Sequence, residues 1–199
     1  MTVCDARFYD VAMTEEGAPS MLPFAESPWR EMYEEAARLI GPSEPVIDLG
    51  CGTGRFAQAL YAVTRSSTYL GLDFSQAALA EARRSTPEES ADLIEYGECD
   101  LTIWEPSNEI DGNAIFACLE VLEHLEDDRD LVRRIPPGRR LIFSVPNYPS
   151  AAHVRDFRTL REIWEHYGTL VVFNRWARVE LGSGHTIHLL DTTRRTESW

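Results

Sequence analysis

The chain has little cysteine, no long apolar run and a shortage of positive charge, and each deficit excludes a class of protein. Its four cysteines, Cys4, Cys51, Cys99 and Cys118, are scattered without short paired spacings. That pattern excludes a disulfide framework and predicts reduced packing residues in a cytoplasmic protein. No apolar stretch approaches the ~20 residues of a membrane span, and Met1-Thr2-Val3-Cys4-Asp5 lacks the basic and apolar regions of a secretory signal. Nineteen basic against 33 acidic side chains leave a net charge of −14, which repels phosphate backbones and argues against a nucleic-acid partner. The pairs Arg83-Arg84, Arg133-Arg134, Arg139-Arg140 and Arg194-Arg195 read as helix-end and strand-end charges. Repeats, low-complexity segments and an interdomain linker are also missing, so 199 residues predict one domain with one buried core.

What is present begins at Val46-Ile47-Asp48-Leu49-Gly50-Cys51-Gly52-Thr53-Gly54. The apolar run 46–49 reads as a buried strand, and a helical pattern starts at Phe56. Glycines in the turn between them tolerate φ > 0 and let backbone approach a ligand. A dinucleotide turn would carry its third glycine at position 55, where Arg55 stands. The turn is therefore G-x-G-x-G, with Asp48 two residues ahead of it. A second apolar run, Tyr69-Leu70-Gly71-Leu72, ends in Asp73-Phe74-Ser75, with Asp73 19 residues after Gly54. A carboxylate at that strand end is placed to accept hydrogen bonds from both ribose hydroxyls of a nucleoside. Capping of the helix at 75–84 is its structural alternative.

These motifs resemble motif I and the post-strand-2 acid of the class I S-adenosylmethionine (SAM)-dependent methyltransferases. The resemblance extends over roughly residues 30 to 191. Cys99-Asp100-Leu101 follows a third strand at 93–96, and Leu119-Glu120-Val121-Leu122-Glu123-His124-Leu125 follows a fourth at 111–118 and is similar to the same segment of ubiquinone-type O-methyltransferases. A fifth strand at 138–146 follows the turn Pro136-Pro137-Gly138. Residues 169–173 and 185–190 form an antiparallel pair joined through Gly182-Ser183-Gly184. The family implies an α/β, Rossmann-like seven-stranded sheet, mostly parallel with the last strand antiparallel and helices on both faces. It implies SAM as cofactor and S-adenosylhomocysteine as product. Asp48, Gly50, Cys51, Gly52 and Gly54 would hold the methionine portion, Asp73 with Phe74 the ribose, and Asp100 with Leu101 the adenine, and Leu119 would lie beside the cofactor.

Methyl transfer from a sulfonium is a direct displacement, so the protein aligns the reactants and excludes water. Poor nucleophiles also need a general base or a metal ion. Glu120, Glu123 and His124 are spaced i, i+3, i+4, which predicts one face of a helix, and His153 follows the adjacent fifth strand. Two readings of this set remain open. His124 and His153 act as catalytic base or orienting groups without an ion, or Glu120, Glu123, His124 and His153 bind Mn, Fe, Co, Zn or Mg. The second pattern is similar to the metal site of small-RNA 3′-terminal 2′-O-methyltransferases. His166, His185 and His188 read as ordinary helix or strand residues.

The N-terminal 1–40 reads as a lid or helical segment, with Ser27 capping a helix that starts at Pro28 and stops at Gly41-Pro42. Phe8, Tyr9, Phe24, Trp29 and Tyr33 would line a substrate pocket or pack on the sheet. Residues 41–199 form the SAM-binding core, with another helix at 158–166. The resulting expectation is a SAM-dependent methyltransferase acting on an oxygen or nitrogen of a small metabolite, as monomer or homodimer. Its alternatives are a metal-dependent RNA 2′-O-methyltransferase and a non-catalytic SAM-binding regulatory subunit.

Overall fold

The computed structural model describes residues 19–65, 67–107, 113–150, 152–181 and 184–196. In chain order the elements are α1 (Arg30–Ile40), β1 (Val46–Leu49), α2 (Arg55–Thr64), β2 (Tyr69–Asp73), α3 (Gln76–Ser85), β3 (Ile94–Glu98), β4 (Ile115–Cys118), α4 (Asp128–Arg134), β5 (Arg140–Pro146), α5 (Leu160–Tyr167), β6 (Val171–Glu180) and β7 (Thr186–Arg194). The strands form one sheet in the order β3-β2-β1-β4-β5-β7-β6. Neighbours from β3 through β5 pair in parallel, and β7 runs antiparallel to both β5 and β6. This is the expected mostly parallel sheet with its last strand reversed. The chain order reverses between β1 and β4, which opens a crevice at their carboxyl ends where such sheets bind ligands.

The central strands read as continuous apolar runs because both faces are covered. Every residue of β1 and β4 is buried. On one face Met32, Ala36, Phe56, Leu60 and Leu189 share a core with α1 and α2. On the other, Leu49, Phe116, Phe143, Ile163 and Tyr167 pack with α4 and α5. In α1 the buried Met32, Ala36, Ala37 and Ile40 recur at helical spacing, while Arg30–Glu34 and Arg38–Glu34 pair along its wet side at 2.8 and 3.1 Å. Arg55, at the place of a third glycine, enters a buried pair with Glu81 at 3.3 Å and ties α2 to α3.

Several element boundaries differ from those the sequence pattern predicts. α1 starts at Arg30 rather than Pro28, because Ser27 Oγ accepts the Trp29 N–H at 3.3 Å in a local turn instead of capping a helix. α3 starts one residue late because Ser75 itself is the cap and accepts from the Ala78 N–H at 3.1 Å. A capping box of Thr159 and Glu162 sets the start of α5 at Leu160. β6 runs to Glu180 because nearly all of it pairs with β7. β4 is shorter than 111–118, and residues 111 and 112 lie outside the described residues, as do Phe8, Tyr9, Cys4, Gly182 and Ser183. Cys51, Cys99 and Cys118 are free thiols. Among the described residues no helix is long and apolar enough to cross a membrane.

One contact decides how closely the β1 and β4 ends approach. Gly50 has φ +85°, and a Cβ there would lie 2.4 Å from Val121 Cγ2. Gly50→Ala should therefore cost about 2–4 kcal/mol, combining a left-handed alanine with overpacking. Adding Val121→Ala should restore part of that loss in urea unfolding. Equal stability of Gly50→Ala and the parent chain would show that the two loops are not in enforced contact.

Candidate active site

The carboxyl ends of β1 to β4 bring the sequence-predicted cofactor residues to one edge of the sheet. The amides of Gly50 and Cys51 donate to the Leu72 carbonyl at 2.7 and 3.0 Å, which turns the glycine loop toward β2. Asp73, buried at the end of β2, accepts from the Gly52 N–H through Oδ2 at 2.8 Å and from the Ser75 N–H through Oδ1 at 2.9 Å. A carboxylate has about four acceptor sites, and two of them latch the loop to the start of α3. Phe74 stands between Asp73 and this cap. Asp100 accepts from the Thr102 N–H at 2.8 Å and the Thr102 hydroxyl at 2.7 Å, which folds the turn that buries Leu101. Leu119 is buried directly after β4.

Asp48 sits differently from the other loop residues. Its side chain turns under the sheet, where the Tyr69 hydroxyl donates to Oδ2. Oδ1 is buried without a hydrogen-bond partner among the described residues. Burial, against the Tyr69 hydrogen bond, pushes its pKa up to about 7.

The segment after β4 corrects the helix reading of Glu120, Glu123 and His124. No α-helix forms there: Glu120 has φ +57°, a single 3-10 turn covers Leu122–His124, and α4 begins only at Asp128. The physical reason is a reciprocal lock with β5. The Glu120 N–H donates to Ser144 Oγ at 2.7 Å, and the Ser144 hydroxyl donates to Glu120 Oε1 at 2.8 Å. Burial raises the Glu120 pKa to about 7. Glu120 is thereby drawn away from the other three candidates.

Glu123, His124 and His153 do come together, with donor atoms all within 4.8 Å of one another. Glu123 is fully buried, and neither carboxylate oxygen has a hydrogen-bond partner among the described residues. Burial, followed by repulsion from Glu120, drives its pKa well above the ordinary carboxylate value. His124 Nδ1 lies 3.1 Å from the Ala152 carbonyl and His153 Nδ1 lies 3.2 Å from the Tyr148 carbonyl. A carbonyl only accepts, so each Nδ1 carries the hydrogen and each neutral ring keeps its lone pair on Nε2. His124 Nε2 stands 4.0 Å from Glu123, and the two rings meet edge to face at 5.0 Å. Burial lowers the His124 pKa to about 4 and shifts His153 in the same direction.

Three further residues build the site without having been read from the sequence. Ser144 is a lone hydroxyl in the apolar run of β5, which was an available signal. Arg155 had none. Its guanidinium donates to the carbonyls of Leu122, Leu125 and Glu126 and pairs with buried Asp128 at 3.1 Å. With the Val154 N–H bonded to the Glu123 carbonyl at 2.8 Å, it staples the segment after β5 to the turn after β4. Tyr148 lies 5.7 Å from the His153 ring and 4.4 Å from His185, so His185 stands at the rim of the site.

Residues 46–136 match the family described as a methyltransferase domain. The ubiquinone biosynthesis O-methyltransferase of Acinetobacter baumannii (strain AYE) is 31% identical over 119 residues, covering 57% of this chain and 48% of that protein. The trans-aconitate 2-methyltransferase of Azoarcus sp. (strain BH72) is 30% identical over 146 residues, covering 71% and 53%. The chain thus spans about half the length of these curated relatives. The crystal structure of the N-methyltransferase NodS from Bradyrhizobium japonicum WM9, in complex with S-adenosylhomocysteine, shares the fold with a TM-score of 0.68 at 18% identity, covering 96% of this chain and 98% of that one. Residues 46–136 thus carry a methyltransferase domain, in the fold of a structure solved with S-adenosylhomocysteine.

Two expectations follow from this geometry. Asp73→Ala should weaken S-adenosylhomocysteine binding by about 1–3 kcal/mol and also lower stability, because the loop amides lose their acceptor. Asp73→Asn, keeping one acceptor, should fall between them in stability, and unchanged calorimetric affinity in folded Asp73→Ala would confine Asp73 to the latch. For Glu123 the raised pKa means that its protonated form is favoured by the fold. The associated stability is present below the ordinary carboxylate pKa and lost as pH rises toward the folded one. Urea midpoints should therefore favour Glu123→Gln over the parent chain increasingly as pH rises above the ordinary carboxylate range, and parallel pH profiles would contradict a buried acid.

Proposed function

We propose that the chain transfers the methyl group of SAM to an oxygen or nitrogen of a small molecule. The observation that carries this reading is the meeting of Glu123, His124 and His153 at the end of β4, beside the glycine loop held by Asp73. Asp48, Gly50, Cys51, Gly52 and Gly54 would take the methionine portion. Asp73 with Phe74 would take the ribose, Asp100 with Leu101 the adenine, and Leu119 would flank the cofactor. Trp29, Tyr33, Tyr148 and His153 would wall the acceptor side, with residues 1–40 acting as a lid over the 41–199 core.

In the transfer, an acceptor lone pair attacks the methyl carbon and the carbon–sulfur bond breaks toward sulfur. S-adenosylhomocysteine leaves, and the acceptor's proton passes to His124 Nε2. Burial serves this step by keeping His124 uncharged down to about pH 4.

A metal-assisted version is favoured by the same cluster. Glu123 offers two oxygens without donors. Both histidines have their Nδ1–H groups committed to backbone carbonyls, the second-shell arrangement that presents Nε2 to an ion. This one-carboxylate, two-imidazole set fits Mn, Fe, Co or Zn. Such an ion would supply positive charge that acidifies and orients an acceptor hydroxyl. Glu120, locked to Ser144, is outside this set. Nothing in the acidic surroundings favours an RNA acceptor.

Titration calorimetry should detect SAM and S-adenosylhomocysteine in preference to NAD, and the reverse would end the reading. With a panel of hydroxylated and amino small molecules, His124→Ala should lower kcat by about 10²–10⁴. Loss of turnover in chelator with return in Mn or Co selects the metal version, and indifference to chelator selects His124 alone. Full turnover in both His124→Ala and His153→Ala would leave alignment as the whole of catalysis. Tight cofactor binding without turnover on any acceptor would point to a regulatory subunit.

A further inference from the structure

Of the six large hydrophobic side chains that are exposed among the described residues, three line one groove on α5 and β6: Trp164 at 61%, Trp176 at 46% and Leu160 at 37%. Single exposed hydrophobics need no explanation, but a contiguous group marks a contact surface. A groove of about 310 Å³ runs between α5 and β6, with Phe173 and Leu190 in its floor. Trp176 does not wave in solvent. Its indole N–H donates to His188 Nδ1 at 3.1 Å, and the rings stack with an interplanar angle of 27°. The surface is thus ordered before any partner arrives, which lowers the entropy cost of binding.

We propose that this α5–β6 face is a two-fold interface with a second copy of the chain. β6 is the edge of the sheet, yet its register shifts between Phe173 and Arg175. A bulge of that kind breaks the regular row of backbone groups that an added strand would need. The proposed partner covers the side chains beside that bulge.

Charge selects the occupant. Arg175 lines the groove, and α5 carries Arg161 and Glu165 beside its exposed tryptophan, so a partner of either single sign meets like charge. A two-fold copy does not. Arg161 and Glu165 lie one turn apart on α5 and pair at 2.8 Å, with side chains 85% and 54% exposed. Two α5 helices crossing antiparallel on a two-fold axis would set Arg161 of each copy against Glu165 of the other. In such an isologous contact residue i meets j and j meets i, and Trp164 and Leu160 lie beside the crossing.

Sedimentation velocity over a micromolar dilution series of the full chain tests this directly. The expected mass is twice 22.6 kDa at high concentration, with reversible dissociation on dilution. Trp164→Glu should yield a folded monomer by circular dichroism. R161E and E165R should each weaken the dimer by about tenfold or more, since each sets like charges opposite one another. The double swap R161E/E165R should recover the parent affinity. The intrachain pair is exposed and contributes little to folding, so these variants report on the interface. A monomer at every concentration would overturn the proposal and assign the face to a different partner. So would a dimer unaffected by Trp164→Glu, or a double swap as weak as the singles.

Discussion

The close approach of the β1 loop to the turn after β4 is the constraint on which the rest of the structure depends. Only a residue without Cβ fits between Leu49 and Val121, and only a residue tolerant of positive φ makes the turn there. From that contact the glycine loop is aimed at β2, where Leu72 and Asp73 receive its amides. The turn after β4 is in the same step held against Ser144 of β5. The crevice is thus framed by backbone geometry before any side chain performs chemistry.

Within this frame the molecule buries more acid than it neutralises. Asp48, Glu120 and Glu123 all lie in the interior, and desolvation raises each pKa. Asp48 has a tyrosine hydroxyl and Glu120 a serine hydroxyl, whereas Glu123 has repulsion from Glu120 and a weak attraction to Arg155. A buried group left in this condition costs stability, and such groups concentrate where a site must bind something charged or move a proton. The two histidines beside Glu123 have the complementary shift, each favouring its neutral form.

Arg155 explains how so polar a turn keeps its shape. Three carbonyls of the 122–126 segment accept from its one guanidinium, which also answers Asp128. Asp128 in turn accepts from His166 and Tyr167 of α5. The site is therefore linked through one buried carboxylate to the helix that carries the exposed tryptophan face.

The sequence by itself determined the succession of strands along the chain, the glycine turn and the acid at the end of β2, because those depend on local periodicity and on residues close together in the chain. It also placed Glu123, His124 and His153 as candidates. Where spacing was read as helix, at Glu120 to His124, it failed: Ser144, some two dozen residues away, captures Glu120 and forces a left-handed residue where a helix would begin. The same limit hid Arg155, whose partners lie about 30 residues upstream, and Val121, whose size matters only because Gly50 faces it. Tertiary structure alone decided which of four candidate ligands converge and which hydrophobic side chains stay exposed. Both depend on contacts between segments that only the folded sheet brings together.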